Sequence, residues 1–193
     1  MLPVVVALRN QPVLVVGAGK VAAAKIKLLL AEGAQVTVVT SEVLEPVPDG
    51  ATVRIRPYES GDLRGFRLAI VAVGDATVNQ QIRREADELG ILLNVVDTPD
   101  MCDFFFTAVH REEDVVISVS TQGAAPALAQ LIRDHIARTL PPGIGALAAL
   151  LRQRRHELHQ RGESTESTTW KAHVSSLFAQ HLATNTTGSQ HDL

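Results

Sequence analysis

Apolar residues follow one rhythm through the first half of the chain and another through the second. Residues 13–16 form the β-branched run VLVV, followed by GAGK and an Ala/Leu/Lys-rich stretch reaching Glu32. Gly33 and a second run, QVTVV, come next. β-Branched runs predict strands, the Ala/Leu stretch predicts a helix, and the glycine predicts that helix's end. The alternation continues with strands predicted over 51–55, 67–73 and 91–96, and a helix from Thr77 to Leu89. These strands are apolar throughout rather than alternating, as in a parallel sheet covered by helices on both faces. The expected fold is α/β, with a Rossmann-type parallel sheet over residues 1–111.

After Asp97 the pattern shortens. FFFTAV and DVVISVS predict two short strands separated by HREED, and a helix from Pro126 to Arg138 follows. Pro141, Pro142 and Gly143 interrupt the chain there. Helices are predicted over 144–161 and 168–183, with the polar stretch GESTESTT between them. We therefore expect a dimerisation region at 112–142, a helical subdomain at 143–183 and a mobile polar tail at 184–193. The helix APALAQLIRDHIARTL places apolar residues at 128, 131, 132, 136 and 140, a stripe wide enough to pack on a partner. A second copy is the expected partner, giving a homodimer.

Composition narrows the function classes. Hydrophobic residues make up 46% of the 193 and charged residues 20%, so disorder of the whole chain is excluded. A net charge of −3 gives no global reason to expect nucleic acid. Cys102 is the sole cysteine, which excludes an intramolecular disulfide and a cysteine-cluster metal site. The N-terminus lacks the pattern of a secretory leader, and no apolar run reaches membrane-spanning length. The expected location is the cytoplasm, with no membrane partner.

Candidate chemistry begins at the first turn. Gly17, Gly19 and Ala22 spell GxGxxA between a predicted strand and a predicted helix, the setting in which this fingerprint binds a dinucleotide. Gly17 permits the tight turn, Gly19 lets the backbone approach a pyrophosphate, and Ala22 allows close packing of helix on strand. The amides of Ala18, Lys20 and Val21 complete the helix N-terminus that faces the phosphates. Where an acidic residue would end the second strand stand Thr40 and Ser41, with Glu42 slightly late. No arginine is placed for a 2′-phosphate, so NAD is favoured over NADP. Gly74 and Asp75 form the other loop that could meet the ribose and nicotinamide; a turn with a helix N-cap reads equally well there.

Beyond the fingerprint, four segments resemble the precorrin-2 dehydrogenase and sirohydrochlorin ferrochelatase family, which includes the N-terminal portion of sirohaem synthases. They are LPVVVALRNQPVLVVGAGKVAAAKIKLLL, AIVAVGDATVNQQI, NVVDTPDMCDFFF and ISVSTQGAAPALAQLIR, in the family's order within roughly residues 1 to 155. Ala24 before Lys25, Thr107 in place of a common proline, and Thr121-Gln122-Gly123 depart from the usual pattern. The resemblance implies NAD-dependent oxidation of precorrin-2 to sirohydrochlorin, Asp97 as the catalytic acid or base, and Ser120 and Thr121 in a substrate-binding loop. It also implies a homodimer, with the tetrapyrrole between the nucleotide domain and the helical parts of the pair.

The residues themselves admit that chemistry and leave alternatives. Asp97 ends a predicted parallel strand, where ligands meet doubly wound sheets, yet an aspartate before Pro99 also suits an N-cap or Asx-turn. Asp103 carries the same ambiguity, and a turn is its expected role. A carboxylate-rich tetrapyrrole needs cations, and arginines stand at 133, 138, 152, 154, 155 and 161 against only Asp134 and Glu157 in that span. Arg133 and Arg138 are the substrate-binding candidates; a solvated helix face is the competing reading. His135, His156 and His159 offer no metal-like arrangement, and any metal ligands stay unknown. Two further functions stay open: a bifunctional dehydrogenase and ferrochelatase taking ferrous ion, and a non-catalytic NAD-sensing regulatory module.

Overall fold

The computed structural model describes residues 1–166 and 168–187. The chain divides into two compact units, Met1–Phe105 and Phe106–Leu193.

In the first unit the order is β1 (Pro12–Val16), α1 (Lys20–Ala31), β2 (Gln35–Thr40), β3 (Thr52–Ile55), β4 (Leu68–Val71), α2 (Ala76–Leu89) and β5 (Leu92–Val95). The strands form one parallel sheet in the order β3-β2-β1-β4-β5. Central β1 and β4 are buried almost end to end, which is why their sequences are apolar without alternation. Edge strand β3 is exposed along its whole length. Helix α1 packs through Ala22, Ile26 and Leu29, the i, i+4, i+7 stripe of an amphipathic helix. One core cluster joins Leu14, Val16, Val39, Ile70's neighbours Ala69 and Val71, and Ile82 and Ala86 of α2. The expected Rossmann-type sheet is thus present, with its strand order reversing between β1 and β4.

The FFF run is not a strand. Residues 102–104 instead run beside the open edge of β5, where the Asp103 amide donates to the Leu93 carbonyl (2.8 Å) and Asn94 Nδ2 donates to the Phe104 carbonyl (2.8 Å). An edge strand needs its exposed backbone groups covered, and this segment covers them.

The second unit opens with an antiparallel hairpin of β6 (Ala108–Glu112) and β7 (Val115–Val119), followed by α3 (Pro126–Thr139), α4 (Ile144–Gln160) and α5 (Thr168–Thr187). HRE belongs to β6 rather than to the connection, because Glu112 pairs with Val115 and leaves a two-residue turn with Glu113 at φ 50°. The division at Phe105 keeps this hairpin whole, whereas a boundary after Arg111 would cut β6. Thr107, standing where the family pattern has proline, accepts a hydrogen bond from Ser118 Oγ across the hairpin (2.7 Å). Of the expected tail, residues 184–187 continue α5 and 188–193 lie outside the described residues.

Candidate active site

The glycine turn joins β1 to α1 in a geometry that only glycine at position 17 satisfies. Gly17 has φ 106°, and a Cβ there would lie 2.6 Å from the Ala72 carbonyl oxygen at the end of β4. Its amide donates to the Val39 carbonyl (2.8 Å), binding the turn to β2 as well. Ala18 is buried, and its carbonyl accepts from the amides of Leu44 and Glu45 (3.2 and 3.0 Å). Gly19 differs in kind, since a Cβ there would meet nothing within 4 Å. The protein's own packing does not require glycine at 19; the missing side chain leaves open space over the start of α1.

That space belongs to a crevice of about 460 Å³ at the point where the strand order reverses. Its walls include Gly19, Lys20, Val21 and Ala22 from α1, Val73 and Gly74 after β4, and Val96, Asp97 and Thr98 after β5. Gly19 is the N-cap of α1 and supplies no side chain to it, so the first-turn amides are left to another partner. These features fit a dinucleotide: a glycine-lined approach, an uncapped helix N-terminus that favours anions, and a ligand crevice at the topological switch point. A further sign is Asn79 of α2, only 7% exposed, which lines the crevice while its Oδ1 has no partner among the described residues.

Asp97 is brought to this crevice, exposed, in the left-handed region at φ 58°. Among the described residues its carboxylate makes no hydrogen bond, and the 3-10 turn Pro99–Met101 that follows has no side-chain cap. The capping and Asx-turn readings of Asp97 therefore fail, and the side chain stands unused by the fold. Asp103, by contrast, is structural: it accepts from the Leu93 amide (2.8 Å) and pairs with Arg83 (2.8 Å).

Other sequence-predicted residues take different places. Asp75 caps α2, accepting from the amides of Thr77 and Val78 (2.8 and 3.2 Å), so the N-cap reading describes its Oδ1. Thr40 is buried and donates to the Glu42 carbonyl (2.6 Å), while Ser41 beside it is exposed; neither lines the crevice. In the second unit, Ser120 accepts from the Gln122 amide (3.0 Å) and Thr121 from the Ala125 amide (3.1 Å). Both hydroxyls thereby shape the loop entering α3, in which Gln122 and Gly123 have positive φ. Arg133 is held by neighbouring Asp134 (2.6 Å), and Arg138 is exposed and makes no ion pair among the described residues. Arg152 pairs with Asp114.

Asn79 and Thr98 escaped the sequence reading. Asn79 had a signal, since 79, 82 and 86 share one helix face and a polar residue among apolar ones on an inward face calls for a reason. A larger cavity, about 590 Å³, lies among α4 and α5. Its Arg154 and Arg161 are offset by Glu157 and Glu163, and its lining holds no glycine fingerprint between strand and helix. Among the described residues, no group of three or more His, Cys, Asp or Glu could hold a metal ion, and no helix is long and apolar enough to cross a membrane.

Comparison with known proteins agrees with this geometry. Residues 4–108 match the family described as "Putative NAD(P)-binding", and residues 117–139 match "Sirohaem biosynthesis protein central". The siroheme synthase of Methylococcus capsulatus is 41% identical over 164 residues, covering 82% of this chain and 35% of that protein. That of Methylobacillus flagellatus is 38% identical over 165 residues, covering 83% and 35%. The chain thus spans about a third of the length of the curated relatives it matches. Among solved structures, SirC, a precorrin-2 dehydrogenase, shares the fold with a TM-score of 0.68 at 22% identity, over 93% of this chain and 100% of that one. With a glycine turn, a switch-point crevice and a matching model over more than half its length, the chain belongs to the family described as putative NAD(P)-binding.

Proposed function

We propose that this chain oxidises precorrin-2 to sirohydrochlorin with NAD as oxidant. The observation that carries the reading is the shared crevice: Asp97, an exposed carboxylate the fold does not use, stands in one cavity with the open first turn of α1. The kinship with siroheme synthases and the fold shared with a precorrin-2 dehydrogenase support the choice of substrate.

The oxidation removes a hydride and a proton from the tetrapyrrole. When bound, NAD supplies the hydride acceptor. The backbone amides at Lys20, Val21 and Ala22 would hold its pyrophosphate, and Gly19 would leave it room. Asp97 accepts the proton at its carboxylate and passes it to solvent, to which it is open. Gly74 borders the same crevice, where its backbone could meet the bound cofactor. NAD is preferred to NADP because the strand end at Thr40 and Ser41 presents no cation for a 2′-phosphate. Of the two arginines on α3, exposed Arg138 is better placed than Asp134-bound Arg133 to take a substrate carboxylate.

The working form is a homodimer built on α3. Leu128, Leu131 and Ile132 are 50%, 66% and 38% exposed on that helix, a large apolar surface to leave in water. The single thiol and the absence of a membrane-length helix among the described residues suit the cytoplasm.

The test mixes the chain, NAD and enzymatically generated precorrin-2 under anaerobic conditions and follows the sirohydrochlorin spectrum. Stoichiometric NADH with sirohydrochlorin supports the reading. Tight NAD binding without oxidation overturns it in favour of a regulatory module. Ferrous ion added after the oxidation shows whether iron insertion follows.

A further inference from the structure

Cys102 lies under the turn that carries Asp97. Its Sγ accepts from the Val95 amide (3.2 Å) and from Asn94 Nδ2 (3.5 Å). It also lies within hydrogen-bond distance of the Val95 carbonyl (3.2 Å) and the Thr98 carbonyl (3.3 Å), where its S–H can donate. These groups bracket the turn: the Thr98 amide donates to the Val95 carbonyl (3.2 Å), and Asp97 is the third residue of the span, at φ 58°. Val95 belongs to edge strand β5, whose outer N–H and C=O have no neighbouring strand. The thiol occupies the place of that missing strand and reaches from it to the far end of the turn. Burial pushes the Cys102 thiol up from its ordinary pKa, which keeps the proton on sulfur and the donor available.

A left-handed aspartate with no hydrogen bond of its own is held only by what fixes its neighbours. Loss of the thiol would leave the Val95 N–H without this partner and the Thr98 carbonyl with only the Met101 amide (3.0 Å), loosening the turn towards negative φ. The 102–103 backbone would stay in place, because Asp103 independently bonds Leu93 and Arg83.

We infer that Cys102 is a positioning residue for Asp97, tying both ends of the 95–98 turn so that the carboxylate stays over the crevice. This rests on the reading that Asp97 acts on the substrate. Serine can make the same bonds with a shorter reach, whereas alanine can make none.

The experiment compares wild type, Cys102→Ala, Cys102→Ser, Asp97→Asn and the Cys102→Ala/Asp97→Asn double variant. Three readouts are taken: hydrogen exchange across residues 95–98, the NAD dissociation constant by titration, and kcat for precorrin-2 oxidation. Cys102→Ala is expected to speed exchange in the turn, leave NAD affinity unchanged and lower kcat by roughly 10- to 100-fold. Cys102→Ser is expected to recover most of both, and the double variant to be no slower than Asp97→Asn alone. Unchanged exchange in folded Cys102→Ala, or a kcat loss that multiplies with that of Asp97→Asn, overturns the inference. If Cys102→Ala does not fold, Cys102→Ser takes its place, and a serine variant with a relaxed turn and full kcat overturns the inference. If the wild type does not oxidise precorrin-2, the reaction reading falls; the exchange arm then decides alone whether Cys102 fixes the turn.

Discussion

Gly17 and Ala72 meet backbone to backbone: a Cβ on the glycine would sit 2.6 Å from the alanine's carbonyl oxygen. That contact ties the glycine turn to the residue that follows β4 and gives the two fingerprint glycines different packing roles. Gly17→Ala is expected to destabilise the domain by at least ~1–3 kcal/mol, since φ 106° and the carbonyl both oppose a side chain. Gly19→Val, in open space, is expected to melt within a few degrees of wild type while losing most NAD affinity. Thermal melts and NAD titrations on both variants check the contrast; wild-type affinity in folded Gly19→Val would remove the dinucleotide from this crevice.

Asp97 is best tested with asparagine, which tolerates the left-handed region that Asp97 occupies at φ 58°. Turnover of Asp97→Asn is expected to fall about 100- to 10,000-fold, the usual range for a lost general base, with NAD affinity and melting temperature little changed. Asp97→Ala is expected to lose a further ~1–2 kcal/mol of stability, because alanine is strained at positive φ. Near-normal oxidation by the asparagine variant would end the catalytic assignment.

Tyr58, the sole tyrosine, donates to buried Glu85 (2.7 Å), whose other oxygen accepts from the Gly61 amide (2.8 Å). Burial first, and the Glu85 carboxylate second, push the Tyr58 phenol above its ordinary pKa of 10.0. A pKa raised on folding means the folded state keeps the proton longer. The resulting stability is full below pH 10 and is lost as pH rises beyond it. Tyrosinate absorbance should therefore appear at higher pH in the native protein than in denaturant, and Tyr58→Phe should flatten the alkaline loss of stability. Coincident native and denatured titrations would contradict the contact.

Leu131, 66% exposed on α3, is the residue whose change should report on assembly. Leu131→Glu is expected to shift the protein from dimer to monomer in light scattering, since a carboxylate would be buried in an apolar interface. A wild type that is already monomeric at working concentration would count against the dimer.

Much of this fold was legible residue by residue. The runs at 13–16, 35–39 and 91–96 are apolar because β1, β2 and β5 are covered by helices, and local periodicity reports that burial directly. GxGxxA between strand and helix marked the nucleotide turn for a similar reason, since the features that define it are neighbours in the chain.

What the tertiary structure alone decided are choices between partners distant in sequence. From spacing, both Asp97 and Asp103 could be turn aspartates, and a turn was the expected role of Asp103. In the fold, Asp103 is taken by Leu93 and Arg83, while Asp97 is left facing the crevice. FFF had strand-like composition, yet its first residue, Phe104, ends a segment that covers the open edge of β5 and supplies that edge with hydrogen-bond partners. The chain's order therefore determined the sheet, the helices and the glycine turn through periodicity and local backbone freedom. Which carboxylate the fold leaves without a partner was decided only when folding assigned the remaining polar groups theirs.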